Sequence, residues 1–394
     1  MKPWVRLLPC AVLLFILPFP GTVTLRLLAL ACALLVSAWS WHKDGFPQIP
    51  AWPALLFWAG LALLSLATAV DPGYTLGEIK NEIGYTMAAY LAFITLTRTR
   101  ADAVFLLGAL ILGSLALASI ALWDNLSSDL PRWNEDGLAG GSGSYSTYLL
   151  ALLPALLWAG GALRLRHRWG LVAGLIALQL LVAVIAGQRQ FWLVFALQVL
   201  VGLPLLSKRG FVELSTARMR AIGVLAVVLS ALVIVGATAR RDTISLGDDP
   251  RLSMWPGVAA RIVEHPLTGK GFGREAMKKA YPELRSKKFP EVWHAHNLFL
   301  NYGLSMGVPG MLAALYLFFT LLRIFWKLSR AEDPVIAMAG ISGVLLVLAV
   351  VVRNLSNDFF VRDLALLFWA IAGMLLGYAS HAEKSPQIGK APGA

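Results

Sequence analysis

The stretch WGLVAGLIALQLLVAVIAGQRQFWLVFALQVLVGLPLL, residues 169–206, holds two apolar runs, 169–187 and 191–206, parted by little more than Gly187-Gln188-Arg189-Gln190. Each run comes close to the roughly 20 apolar residues that carry a helix across a ~30 Å hydrocarbon layer. Within lipid every backbone N–H and C=O must be bonded inside its own segment, so two such runs in tandem read as a helical hairpin with a tight polar turn at one interface. The pattern repeats outward, with further runs near 7–20, 24–41, 51–70, 83–97, 103–123, 143–162, 220–239, 307–327, 334–352 and 363–380. These predict an all-α, polytopic integral membrane protein of about twelve transmembrane helices. Only 14% of its 394 residues are charged and 58% are apolar, against roughly 25% charged in an ordinary soluble domain.

The first run follows Lys2 and Arg6 as a signal peptide would, but no small-x-small cleavage site closes it, and it is read as a retained helix. Both cysteines, Cys10 and Cys32, fall inside apolar runs and are read as small buried side chains. The basic residues set the orientation. With both termini inside, seventeen lysines and arginines fall on the inner side and six in short outer loops, with eleven in the long segment 240–295. Long loops are exempt from the positive-inside bias, so this segment is expected outside. The chain then divides into nine spans over 1–239, the loop 240–295, three spans over 296–380, and an inner tail 381–394.

Within the long loop, Asp249-Pro250 has the form of a helix start, with Asp as N-cap and Pro at the first position. Leu252, Trp255, Ala259 and Ile262 then recur at helical spacing, predicting an amphipathic helix on the membrane surface, kinked at Pro256 and ended by Pro266, Gly269, Gly271 and Gly273. A second short helix is expected at about 274–285. Residues 270–290 carry seven basic residues, among them Lys270, Arg274, Lys278, Arg285, Lys287 and Lys288. Nucleic acid is an unsuitable partner on that side; anionic lipid headgroups, or a phosphorylated acceptor, fit such a face, and so does plain solvation.

Where the long loop re-enters the membrane the sequence reads Trp293-His294-Ala295-His296-Asn297-Leu298, and Gly307-Val308-Pro309-Gly310 follows nine residues after His296-Asn297. This His-Asn-x9-Gly-x-x-Gly string resembles the signature of the O-antigen ligase and polymerase superfamily. About twelve spans, a late large loop, and an Arg-x-x-x-Trp pair (Arg251, Trp255) ahead of Pro-Leu-Thr-Gly-Lys-Gly-Phe-Gly (266–273) are similar to that family too. The resemblance covers about 140–380. It implies a GT-C-like membrane glycosyltransferase of the bacterial inner membrane, its site facing the periplasm. The donor would be an undecaprenyl-pyrophosphate-linked glycan, with lipid A–core as acceptor. The transfer would need no metal and no other cofactor, and would invert the anomeric centre.

On chemical grounds His296 suits a general base for a sugar hydroxyl, because imidazole titrates near neutrality and a helix N-terminus disfavours its charged form. The bland alternative is an interfacial His hydrogen-bonded at a helix start. His294 is expected to support it or to be structural, and Asn297 to support it. Arg189, a cation on the side that disfavours cations, would face a lipid pyrophosphate with its planar fork; snorkelling at a helix end is the other reading. Arg251 and Arg261 are further phosphate-binding candidates, about 80° apart on a regular helix, so one can face the site while the other is solvated. Asp358 would orient His296, bind acceptor hydroxyls, or be an ordinary solvated carboxylate.

Gly269-Lys270-Gly271-Phe272-Gly273 follows no strand and is not a nucleotide loop. No His, Asp or Glu cluster has metal-site spacing, and none is expected to hold an ion. The nearest competing reading is a polymerase that uses a second lipid-linked glycan as acceptor. A protein oligosaccharyltransferase is disfavoured by the lack of a large domain after the last span. A transporter would place ionisable residues deep in the spans.

Overall fold

A computed structural model describes residues 3–127, 133–135, 137–239, 250–284 and 293–384. Among these the chain is helical, with no strand. In chain order the α-helices are α1 Pro3–Ile16, α2 Val23–Asp44, α3 Trp52–Leu64, α4 Pro72–Glu78, α5 Tyr85–Leu96, α6 Arg100–Leu126, α7 Ser142–Ala162, α8 Arg168–Ala186, α9 Arg189–Lys208 and α10 Thr216–Ala239. They continue as α11 Pro250–Glu264, α12 Ala276–Ala280, α13 Leu298–Leu328, α14 Pro334–Arg353 and α15 Arg362–Lys384.

All twelve apolar runs fall on helices. Nine helices among the described residues are long and apolar enough to cross a membrane. The runs near 7–20, 51–70 and 83–97 lie on the shorter helices α1, α3 and α5. A π-helical turn, Ile79–Gly84, joins α4 to α5. α7, α14 and α15 form the buried centre of the bundle, while α10 is a peripheral helix packed on α9. Large apolar side chains such as Leu112, Leu232 and Phe319 stand exposed, as lipid-facing positions do.

The loops gather at two opposite ends. At one end Arg98 reaches Ser40 and Asp44, Arg100 bonds the carbonyl of Ala162, and Arg209 that of Ala331. Arg6 pairs with Asp102 there at 2.6 Å. At the other end lie the turn at 187–190, the segments 250–284 and 293–297, and the loop 354–361.

Segment 250–297 is where expectation and structure part. α11 begins at Pro250, but Asp249, its expected cap, lies outside the described residues, as do Arg285, Lys287, Lys288 and the tail after 384. The helix runs through Pro256 without interruption. Its buried face is Met254, Val258 and Ile262, whereas Leu252 and Ala259 are exposed. The expected apolar face was rotated because α11 packs on α13 and on Met277, Tyr281 and Ala295 rather than on lipid alone.

The glycine-rich segment after α11 threads into the bundle. α13 breaks at Gly307 (φ 72°, ψ −173°), which leaves the carbonyls of the preceding turn without helical donors. The inserted segment supplies two of them, Lys270 N–H donating to Leu304 O at 2.9 Å and Gly271 N–H to Ser305 O at 3.0 Å, and in return its Pro266 O accepts from Val308 N–H at 2.7 Å. On its other side Val70 N–H donates to Lys270 O, and Phe272 N–H to Ser65 Oγ. The Gly-x-x-Gly half of the signature is therefore a helix break that pins the segment behind the site.

Candidate active site

Asn297 caps α13, its Oδ1 accepting from Phe299 N at 3.0 Å and Leu300 N at 3.1 Å. The same side chain donates to Leu355 O at 2.7 Å, and Leu298 N–H donates to Asn354 O at 2.9 Å. The start of α13 is thus stitched to the last loop of the bundle. His296, the residue before the cap, has φ +47°, a left-handed conformation that a residue with a Cβ adopts at a cost of about 1–2 kcal/mol. Backbone strain of this kind collects at functional sites. Trp255 fixes the approach, its indole N–H donating to Ala295 O at 2.9 Å. That contact accounts for the tryptophan of the Arg-x-x-x-Trp pair.

The His296 ring stacks on His294 with centroids 3.8 Å apart and is half-buried. His294 is 2% exposed. Its Nε2 faces Arg274 Nη2 at 2.8 Å and its Nδ1 faces the His296 backbone N–H at 3.1 Å. Both facing groups are donors while a neutral ring accepts at one nitrogen only, so a second ring proton would leave neither nitrogen an acceptor to face. Burial first, then the positive charges of His296, Arg274 and Arg251, push its pKa down to about 2. His294 is therefore held neutral at physiological pH.

Arg251 lies within electrostatic reach of His294. Arg261 does not join this group: its guanidinium pairs with Glu264 at 2.8 Å and Glu283 at 3.1 Å, and lies over the Tyr281 ring. The two candidates thus face different neighbours, as the helical spacing allows.

Asp358 is 1% exposed, which removes the reading of a solvated loop carboxylate. Arg274 Nε stands 3.7 Å from its Oδ2, an ion pair too long to be a hydrogen bond. Neither carboxylate oxygen has a hydrogen-bond partner among the described residues. Burial pushes its pKa up to about 6, with Arg274 opposing. Arg274 and His294 form one link between Asp358 and His296. Glu82 and Glu78, on and beside the π-helical turn, are buried in the same neighbourhood. Asp358 binds its proton more tightly in the fold than in the unfolded chain, near pH 4. Its stabilising share is present below that value and is lost as pH rises through about 6. Asp358→Asn is expected to raise the melting temperature in detergent by a few degrees at pH 8 and to leave it unchanged at pH 4, read by a thermal unfolding series.

Arg189 opens α9 at the 187–190 turn, half-buried and without a hydrogen bond or ion pair among the described residues. Its neighbours hold the turn: Gln188 Nε2 donates to Ser142 Oγ at 2.8 Å, and Gln190 Nε2 to Arg353 O at 2.8 Å. Asn357 Nδ2 donates to Gln190 Oε1 at 2.6 Å, which brings the Arg189 turn against the residue next to Asp358.

Sequence reasoning missed Arg274 and Arg353. Arg274 was counted as one charge in a basic stretch, yet it is the link between Asp358 and His294, and its guanidinium lies over the Trp293 ring at 5.2 Å. The one available signal was its place directly after the inserted Gly-Phe-Gly. Among the described residues no three His, Cys, Asp or Glu side chains gather as a metal site would. The ensemble is a half-buried imidazole on a neutral imidazole, with two arginines and a buried carboxylate nearby and a third arginine held on an adjoining turn.

Residues 137–315 match the family model described as O-antigen ligase. No curated protein matches the chain.

Proposed function

We propose that this chain, whose residues 137–315 belong to the O-antigen ligase and polymerase superfamily, is a ligase that transfers a glycan from undecaprenyl pyrophosphate to lipid A–core at the periplasmic face of the bacterial inner membrane. The observation that carries this reading is the grouping, at one end of the bundle, of a strained His296 with Arg251 and the Arg189 turn. The ionisable groups of this site lie in the end loops and at helix termini, away from the middles of the long spans, which speaks against a transporter.

In the proposed reaction the acceptor hydroxyl gives its proton to His296 as its oxygen attacks the anomeric carbon. The bond from that carbon to the pyrophosphate oxygen breaks in the same step. Undecaprenyl pyrophosphate leaves as an anion, with Arg189 and Arg251 stabilising the charge that develops on it. His296 then releases its proton to solvent. The pyrophosphate bond carries the driving force, so no nucleotide is consumed. Asp358, buried with both oxygens free of hydrogen bonds among the described residues, is suited to accept from a sugar hydroxyl.

Purified protein supplied with lipid-linked O-antigen is the test, with lipid A–core as acceptor in one arm and a second lipid-linked glycan in the other, both in EDTA. Lipopolysaccharide in the first arm only supports the ligase. Chain elongation in the second arm only makes the protein a polymerase, and no product in either removes the transferase.

A further inference from the structure

Arg353, the last residue of α14, is 1% exposed, among the most deeply buried large side chains of the molecule. Every acceptor around it is neutral. Its Nε donates to Thr147 Oγ1 at 3.0 Å, Nη1 to Gln190 Oε1 at 2.5 Å, and Nη2 to Gly143 O at 3.4 Å. The guanidinium also lies 5.1 Å from the Phe359 ring. No carboxylate pairs with it among the described residues, and the charge that reaches it is that of Arg251, also positive.

A protein that buries a cation ordinarily pairs it, because an uncompensated buried charge is strongly destabilising. Buried Asp102 and buried Arg26 follow that rule, Arg6 lying 2.6 Å from the first and Asp363 3.8 Å from the second. Arg353 breaks it beside the turn that carries Arg189. The arrangement makes sense if the missing negative charge arrives with a ligand. Gln190 connects the two residues, since it accepts from Arg353 and is the chain neighbour of Arg189.

We propose that Arg353 is a positioning residue for the anionic headgroup of the donor: it holds the Arg189 turn through Gln190, and its unpaired charge is balanced by the bound pyrophosphate. This rests on the transferase reading, which supplies the pyrophosphate. Arg353 acts through its charge and through Arg189, with no contact to the reacting carbon.

The test is binding of undecaprenyl pyrophosphate, with uncharged undecaprenol as the control, to detergent-purified wild type, Arg353→Gln and Arg353→Lys. Arg353→Gln is expected to weaken undecaprenyl pyrophosphate at least tenfold, Arg353→Lys no more than about threefold, and undecaprenol binding is expected to be equal in all three. A merely structural arginine would lose both ligands together, or lose as much with Lys as with Gln, and either result overturns the proposal. So does unchanged pyrophosphate binding by Arg353→Gln. If Arg353→Gln does not fold, Gln190→Glu decides: it keeps Arg353 and sets a carboxylate against it, and it is expected to cost at least tenfold in the same assay, unchanged binding being the contrary result. A wild type that binds both lipids equally removes the donor reading itself, and this inference with it.

Discussion

His296→Ala is expected to lower the rate of glycan transfer roughly a hundred- to ten-thousand-fold, the range a positioned general base supplies, while the folded protein remains as stable as wild type. The reason lies in what the side chain does not do. The cap of α13 is made by Asn297, and the link to the last loop by Asn297 and Leu298. His296 contributes its backbone N–H to His294, which alanine retains. Single-turnover transfer and thermal unfolding, run on the same preparation, separate the two effects. A variant that transfers at the wild-type rate would remove the base, and one that no longer folds would make the ring structural.

Gly269→Val is expected to destabilise the protein by about 2–5 kcal/mol, adding the strain of a left-handed backbone to overpacking. Gly269 has φ +62°, and a Cβ there would stand 2.3 Å from the carbonyl carbon of Ser305 and 2.4 Å from the Met306 nitrogen. Both are backbone atoms on the turn just before the break at Gly307, so nothing nearby can yield by changing rotamer. Loss of monodisperse protein in size-exclusion chromatography is the readout. Gly174→Ala on α8, which meets nothing within 4 Å, is the control expected to behave as wild type.

The helices were legible in the sequence because lipid leaves the chain few choices. An apolar run of sufficient length has to satisfy its own backbone, and all twelve runs fall on helices. Legibility ended where periodicity and tertiary contacts compete. Ile262 is on the buried face of α11 as its spacing suggested, but Leu252 is not, since α13 and Ala295 take up Met254 and Val258 instead. The motif residues His296 and Asn297 could be read from their order in the chain. Arg274 and Arg353 could not, because each draws its importance from partners distant in sequence: Asp358 is 84 residues from one, and Gln190 is 163 from the other. Arg353 counted only toward the topology and Arg274 only as one charge in a basic stretch; burial singles out the first, and its contacts with Asp358 and His294 the second.

The single-displacement account is tested most directly by the configuration of the new linkage. The transfer would be run in EDTA with a donor of known anomeric configuration, and the product linkage read by NMR. Inversion at the anomeric carbon is the result predicted for one attack by the hydroxyl that His296 deprotonates. Retention would contradict it, because two successive displacements through a glycosyl-enzyme would then be needed, and His296 as base for a direct attack would have to be abandoned.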